Sequence, residues 1–262
     1  MKIRTETIKS LKSKRPITCL TSYDSMTARI FDEAGIDLIL VGDSAANTVL
    51  GKPTTLPITL QEMISFGAAV SASAKNALVV IDMPFGSYEV SPEQALENSI
   101  EVMKQTGADA VKLEGGTNRV ESIRLLVENG IPVMGHLGFT PQSVNQMGGF
   151  KVQGRGAESE LIKRQALELQ NSGVFSIVLE MVPSELAKEI TDSVSIPTIG
   201  IGAGNQTDGQ ILVWQDFAGL SERVPKFVKT YANIRNTLEK ATADYISEVQ
   251  SRSFPSAENS FD

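Results

Sequence analysis

ALVVIDMPFGSYEVSPEQALENSIEVMKQTGADAVKLEGG, residues 77–116, reads as one strand–helix–strand unit. At its two ends ALVVID (77–82) and DAVKLE (109–114) are short apolar runs rich in β-branched residues, the composition of buried strands. Between them Ser91-Pro92, followed by Gln94, places an N-cap, a first-turn proline and a capping-box partner together. Gly107 fits the stop after the last turn. Leu96, Ile100 and Met103 recur at steps of three and four, which predicts a buried stripe facing the sheet. Two strands joined by a helix must run parallel.

The same alternation extends outward in both directions. Eight strands are predicted near 17–21, 38–43, 77–82, 109–114, 131–136, 175–180, 196–201 and 210–214. Eight such units suit an α/β fold closed as a (β/α)8 TIM barrel. Thr59 with Glu62 gives another capping box, and from Phe227 to Val249 apolar residues at helical spacing predict a last helix covering the barrel. No repeat or linker marks a second domain, so residues 1–250 are expected to form a single catalytic barrel, with SRSFPSAENSFD, 251–262, as a C-terminal tail. The longest irregular stretch, FTPQSVNQMGGFKVQGRGAESE (139–160), follows the fifth strand. A loop of that length in a compact domain is usually functional, and it is read as an active-site lid.

Composition removes several classes of function. With 31 acidic against 24 basic residues, the net charge is −7, and no basic stripe offers a surface to nucleic acid. Apolar runs such as ALVVI and DLILVG are far shorter than the ~20 residues of a membrane span. MKIRTETIKSLKSK at the start lacks the apolar core of a signal peptide, so a cytoplasmic protein is expected. The single cysteine, Cys19, lies in the apolar run ITCLT and reads as core. A single histidine, His136, excludes any metal site or triad that needs two, which pushes the chemistry onto carboxylates.

Those carboxylates fall where a parallel barrel keeps its reactive groups, at the C-terminal strand ends. Asp43 and Ser44 follow the second strand, Asp82 the third, Lys112 and Glu114 the fourth, His136 the fifth and Glu180 the sixth. Because side chains alternate along a strand, Lys112 and Glu114 share one face and Val111 and Leu113 the other. A buried lysine and glutamate are costly unless paired or bound to something, so a ligand site is expected at the mouth. Asp43, Asp82 and Glu114 offer oxygen ligands alone, a set that suits Mg2+ better than zinc. His136 fits either a structural histidine or a substrate contact. In TIGIGAGN, Gly200, Gly202 and Gly204 fit either a phosphate-cradling turn or a tight backbone turn.

The motifs TSYD (21–24), LVGDS (40–44), DMPFGSY (82–88), VKLEGG (111–116), GHLGFTPQS (135–143), GGFKVQGRG (148–156), LEMVP (179–183) and IGIGAGNQTDGQILV (199–213), taken in order over nearly the whole chain, resemble the ketopantoate hydroxymethyltransferase family of pantothenate and coenzyme A synthesis. The resemblance implies a magnesium site at Asp43, Asp82 and Glu114. It also implies a keto acid held among Asp43, Ser44, Asp82 and Lys112, and Glu180 as catalytic base. It further implies 5,10-methylenetetrahydrofolate as one-carbon donor and a homo-oligomer, commonly a decamer. Two positions depart from the family pattern, which often has histidine where this chain has Phe66 and Gln215. Two other readings stay open at this point: a folate-independent, metal-dependent aldolase or lyase of the pyruvate and phosphoenolpyruvate barrel group, and a non-catalytic metabolite-binding barrel.

Overall fold

A computed structural model describes residues 2–261; Met1 and Asp262, the last residue of the expected tail, lie outside the described residues. Eight parallel strands close into a barrel in chain order. They are β1 Ile17–Thr21, β2 Leu38–Val41, β3 Leu78–Asp82, β4 Ala110–Glu114, β5 Val133–Gly138, β6 Ser176–Glu180, β7 Thr198–Ile201 and β8 Gly209–Leu212, with β8 pairing back onto β1. The expected (β/α)8 barrel is therefore the observed fold, with strand limits within a few residues of those read from the sequence.

Inward-facing side chains fill the barrel in layers. Ile17, Leu38, Leu78, Ala110, Met134 and Ile199 belong to the interior cluster, and Ile8 of the helix Thr5–Leu11 packs with them. Cys19 is one of this cluster, and burial pushes its thiol well above the ordinary range. It is a core residue, as its apolar run implied.

The helix between β3 and β4 runs from Pro92 to Thr106, with Ser91 accepting from the Gln94 N–H and Gly107 left-handed at φ 68°. Two details differ from the sequence reading. The Gln94 side chain accepts from the Val90 N–H at 3.0 Å, one residue before the cap. The buried face is Ala95, Ser99, Val102 and Thr106, while Ile100 is 42% exposed. The reason is clearance: small side chains let a helix lie close on the barrel, and the larger Leu96 and Met103 sit half-buried on its flanks. The neighbouring helix Leu60–Ser73 shows the same economy, since a Cβ on Gly67 would come within 2.4 Å of Ile81 Cδ1. Its predicted capping box between Thr59 and Glu62 is present.

The opposite, N-terminal rim of the barrel is stapled by carboxylates. Asp37, Asp109 and Asp208 each immediately precede an even-numbered strand. Each accepts the first free N–H of the strand before: Thr18 at 2.9 Å, Val79 at 3.0 Å and Thr198 at 2.9 Å. Each also has basic partners, Arg15 for Asp37, Lys2 and Arg4 for Asp109, and Lys12 for Asp208. Buried Phe175 occupies the matching position before β6.

Chain contacts divide the molecule after Val213, so the segment from Trp214 forms a second compact unit. In it the N–H groups of Tyr231 and Ile234 bond the carbonyls of Phe217 and Ala218, and the rings of Phe217 and Tyr231 stack at 5.1 Å. These bonds hold 227–233 out of a helix, so the expected helix begins at Ile234 and ends at Ser251. None of its residues is buried.

Asp37→Asn tests the staple. Burial opposes the Asp37 charge, but Arg15 and the Thr18 N–H outweigh it and hold the carboxyl below its usual range. A depressed folded pKa gives stability that is present above the unfolded value of ~3.9 and lost as pH falls through the folded one. Urea titration is expected to show a loss of about 2–3 kcal/mol at pH 7, with the gap to wild type closing in acid.

Candidate active site

Seven side chains picked out in the sequence line one pocket of about 100 Å³ inside the C-terminal mouth: Asp43, Ser44, Asp82, Lys112, Glu114, His136 and Glu180. Strand register places them. Asp82 lies opposite Lys112, Glu114 opposite His136, and Gly138 opposite Glu180. Asp43 and Ser44 sit beyond the end of β2, in the turn into the short helix Ala45–Thr48.

Lys112 forms a buried ion pair with Asp82. The second oxygen of Asp82 accepts the Asp43 N–H at 3.1 Å, and Ser44 Oγ is 2.7 Å from the Tyr23 hydroxyl. His136 lies between two acids, Nδ1 3.3 Å from Glu114 and Nε2 3.3 Å from Glu180. Burial, then the Lys112 charge, lowers the His136 pKa, so the ring is neutral and carries one N–H for two carboxyl groups. Neither ring nitrogen is aligned for a hydrogen bond.

The pocket is short of positive charge, with four carboxyl groups around one ammonium. Burial, then the charges of Asp82 and Glu114, pushes Asp43 up to about 8. Burial likewise raises Glu114 to about 7, with Lys112 opposing and Asp82 adding to the rise. Burial raises Glu180 too, against the pull of His136. Lys112 is held charged: burial acts against it, but Asp82, Glu114 and Asp43 outweigh burial. Raised carboxyl pKa values favour the fold in acid, and that contribution is lost as pH rises through about 7 and about 8. Ionising the mouth at neutral pH thus costs stability, and a bound cation would offset the cost. Among the described residues no three histidine, cysteine or acidic side chains already form a closed metal cage. The oxygen-only donors nevertheless suit a hard cation, which keeps positions for water and substrate oxygens.

Two further side chains hold the acids together. Gln142 Nε2 donates to Asp43 at 2.9 Å and to the Met83 carbonyl at 3.0 Å. Its backbone N–H donates to Glu114 at 3.0 Å, and its Oε1 accepts from the Tyr88 hydroxyl at 2.5 Å. Both residues lie in motifs quoted above, DMPFGSY and GHLGFTPQS, but no periodicity marks them. The signal available was a glutamine directly after a loop proline. Gln142 also revises the reading of 139–160 as one irregular loop, because this segment starts with helical turns at Pro141–Ser143 and Val144–Met147. Gly138, at φ 91°, allows Glu180 its place, since a Cβ there would stand 2.2 Å from the Glu180 carbonyl. The Gly200 and Gly204 backbones are packed against Thr207 and Ser184, which accounts for them as close-approach glycines.

A parallel barrel with raised carboxyl groups and a charged lysine at its C-terminal mouth has the architecture of a (β/α)8-barrel enzyme, whose reactive groups gather at that end. Solved structures of the same fold include phosphonopyruvate hydrolase in complex with oxalate and Mg2+ (TM-score 0.63, 11% identity, 98% of this chain and 93% of that chain). Another is 2,3-dimethylmalate lyase of the phosphoenolpyruvate mutase/isocitrate lyase superfamily (TM-score 0.61, 15% identity, 100% and 93%). The family model for ketopantoate hydroxymethyltransferase matches residues 2–257. Relatives named 3-methyl-2-oxobutanoate hydroxymethyltransferase are 54% identical in Corynebacterium glutamicum, over 99% of this chain and 97% of the relative, and 56% identical in Thermobifida fusca, over 92% and 87%. The chain belongs to the ketopantoate hydroxymethyltransferase family.

Two substitutions test the architecture of the pocket. Gly138→Ala is expected to displace Glu180 and lower turnover by at least about tenfold, a barrier change of ~1.4 kcal/mol, measured as kcat with the fold checked by circular dichroism. Gln142→Leu strands the Tyr88 hydroxyl and an Asp43 oxygen, and thermal unfolding is expected to show a loss of about 1–3 kcal/mol.

Proposed function

We propose that the protein transfers a hydroxymethyl group from 5,10-methylenetetrahydrofolate to 3-methyl-2-oxobutanoate, giving 2-dehydropantoate for pantothenate and coenzyme A biosynthesis. The observation that carries this reading is the pocket itself, where a charged Lys112 faces acids held near or above their usual range by burial. Such a site receives an anionic keto acid and removes a proton beside its carbonyl.

In this reading the substrate carboxylate and keto oxygens lie against Lys112 and Ser44, and Glu180 takes the C3 proton. A base with a raised pKa is matched to that task at neutral pH. The C3–H electron pair moves into the enolate, and Lys112 holds negative charge on the oxygen. C3 then bonds the folate methylene as one of its C–N bonds opens. Water displaces the second nitrogen, so the carbon leaves as CH2OH and both folate nitrogens end protonated. His136, 3.3 Å from both Glu114 and Glu180, contacts the substrate. Asp43, Asp82 and Glu114 would hold Mg2+, which when bound supplies Lewis-acid polarisation of the carbonyl. Gln142 sets the spacing of two of those acids.

The segment 139–160, which brings Gln142 to the site and continues to the exposed Phe150, serves as the lid over both substrates. Residues 1–250 act as the catalytic domain, with 251–262 as a tail. No helix among the described residues is long and apolar enough to cross a membrane. Membership of a biosynthetic enzyme family supports work in the cytoplasm, and the family resemblance supports a homodecamer.

Proton NMR in heavy water provides the test. Wild type with a divalent cation is expected to exchange the C3 proton of 3-methyl-2-oxobutanoate, and to form product when the folate is added. Glu180→Gln should lose both by at least about 100-fold, the usual size of a general-base contribution, while still binding the keto acid. Full exchange in Glu180→Gln would remove it from the role of base.

A further inference from the structure

Among the described residues, three other than glycine hold a left-handed backbone: Ser13 at φ 61°, Met181 at φ 46° and Arg252 at φ 58°. Ser13 lies in the turn after the helix Thr5–Leu11, and Arg252 caps the helix Ile234–Ser251, places where a left-handed residue ends a helix. Met181 ends no helix. It directly follows Glu180 at the close of β6, and a side chain as large as methionine takes this conformation only where its surroundings impose it.

Two hydrogen bonds impose it. The Met181 N–H donates to the Ile201 carbonyl at the end of β7, and the Met181 carbonyl accepts from the Gln153 N–H, both at 2.9 Å. Strand alternation shows what the turn achieves. Val178 and Glu180 both face the acidic pocket, and two more extended residues would bring Val182 to the same face, over the base. The left-handed step at Met181 breaks that alternation. Val182 is instead buried against Gly138, where an added Cβ would stand 2.7 Å from its Cγ1, and it is no part of the pocket lining. Glu180 keeps its place 3.3 Å from His136 Nε2.

The same turn fastens the segment 139–160 at two points. The Glu180 carbonyl accepts the Phe139 N–H at 2.8 Å, and the Met181 carbonyl takes Gln153. Beside Gln153, Gly154 packs so closely that an added Cβ would stand 2.4 Å from Leu186 Cδ2, in the helix Ser184–Ser193 that follows β6.

We propose that Met181 is a positioning residue, whose left-handed backbone keeps Glu180 aimed into the pocket and couples it to the segment 139–160 through the bond from Gln153. The proposal rests on the reading of Glu180 as base and adds what holds that base in place. When the segment lifts, Met181 loses a bond that offsets its strain, relaxes to negative φ and turns Glu180 aside. Proton removal is thereby confined to the state in which the segment covers the pocket.

The test compares full-length Met181→Val and Met181→Asn. Valine keeps an apolar side chain but is excluded from the left-handed region, whereas asparagine is polar but enters it readily. In Met181→Val, kcat and donor-free exchange of the C3 proton are expected to fall about tenfold or more, the scale of a misplaced base, with the KM for the keto acid within about threefold. Met181→Asn, the conformationally conservative replacement, should keep both rates within about threefold of wild type. Hydrogen exchange at the Gln153 amide, which needs no substrate, should quicken about tenfold or more in Met181→Val and hold in Met181→Asn. A side chain acting through its packing would give the reverse order, so equal rates in the two variants, or asparagine the slower, would overturn the assignment. If circular dichroism shows Met181→Val unfolded, Met181→Asn decides alone, and a loss there of turnover or of Gln153 protection overturns it. If Glu180→Gln exchanges the C3 proton at the wild-type rate, the base reading itself fails, a result distinct from any change at the Gln153 amide.

Discussion

Four carboxyl groups and one ammonium are confined to a pocket of about 100 Å³, and that surplus of buried negative charge is the constraint the rest of the molecule accommodates. Left alone, the acids repel one another and resist ionisation, which is why Asp43 and Glu114 are pushed to about 8 and about 7. The barrel tolerates this because its strands pin each group from the backbone, and because Gln142 and Tyr88 tie the acids into a hydrogen-bonded set. Such tension is retained where a ligand of opposite charge relieves it.

The two rims of the barrel show the same residue type in opposite states. Asp37 is held below its usual range by Arg15 and a strand N–H, and Asp109 and Asp208 have equivalent basic and backbone partners. There the carboxylates close the sheet. At the other rim Lys112 is shared among several acids, and the charge left over is free to meet a substrate or cation. Paired carboxylates and surplus ones are thus separated along the barrel axis, and the surplus lies at the end where this fold keeps its reactive groups.

How much of this could be read from the chain depends on the range of the determining interactions. The alternation of apolar runs fixed all eight strands, because parallel strands buried on both faces read as continuous hydrophobic segments. Side-chain parity then put Lys112 and Glu114 on the inward face, and the strand-end rule gathered all seven predicted pocket residues. The face of the helix Pro92–Thr106 was missed by one position, since hydrophobicity favours Leu96 and Ile100 while clearance favours Ala95 and Ser99. Gln142 and Tyr88 meet only when two loops separated by 54 residues close over the mouth. No local period records such a meeting, nor the close approach of Gly138 to Glu180.

The position of Cys19 has a practical consequence. It is the chain's sole thiol, 4% exposed within the barrel interior, and burial keeps it in the unreactive protonated form. A thiol reagent in solution can reach it only when strands part, so the labelling rate becomes a clock for opening of the barrel itself. The sulfur lies among aliphatic side chains, Leu40, Val178 and Ile211 of which also line the acidic pocket, so the same opening that exposes the thiol loosens the floor of that pocket.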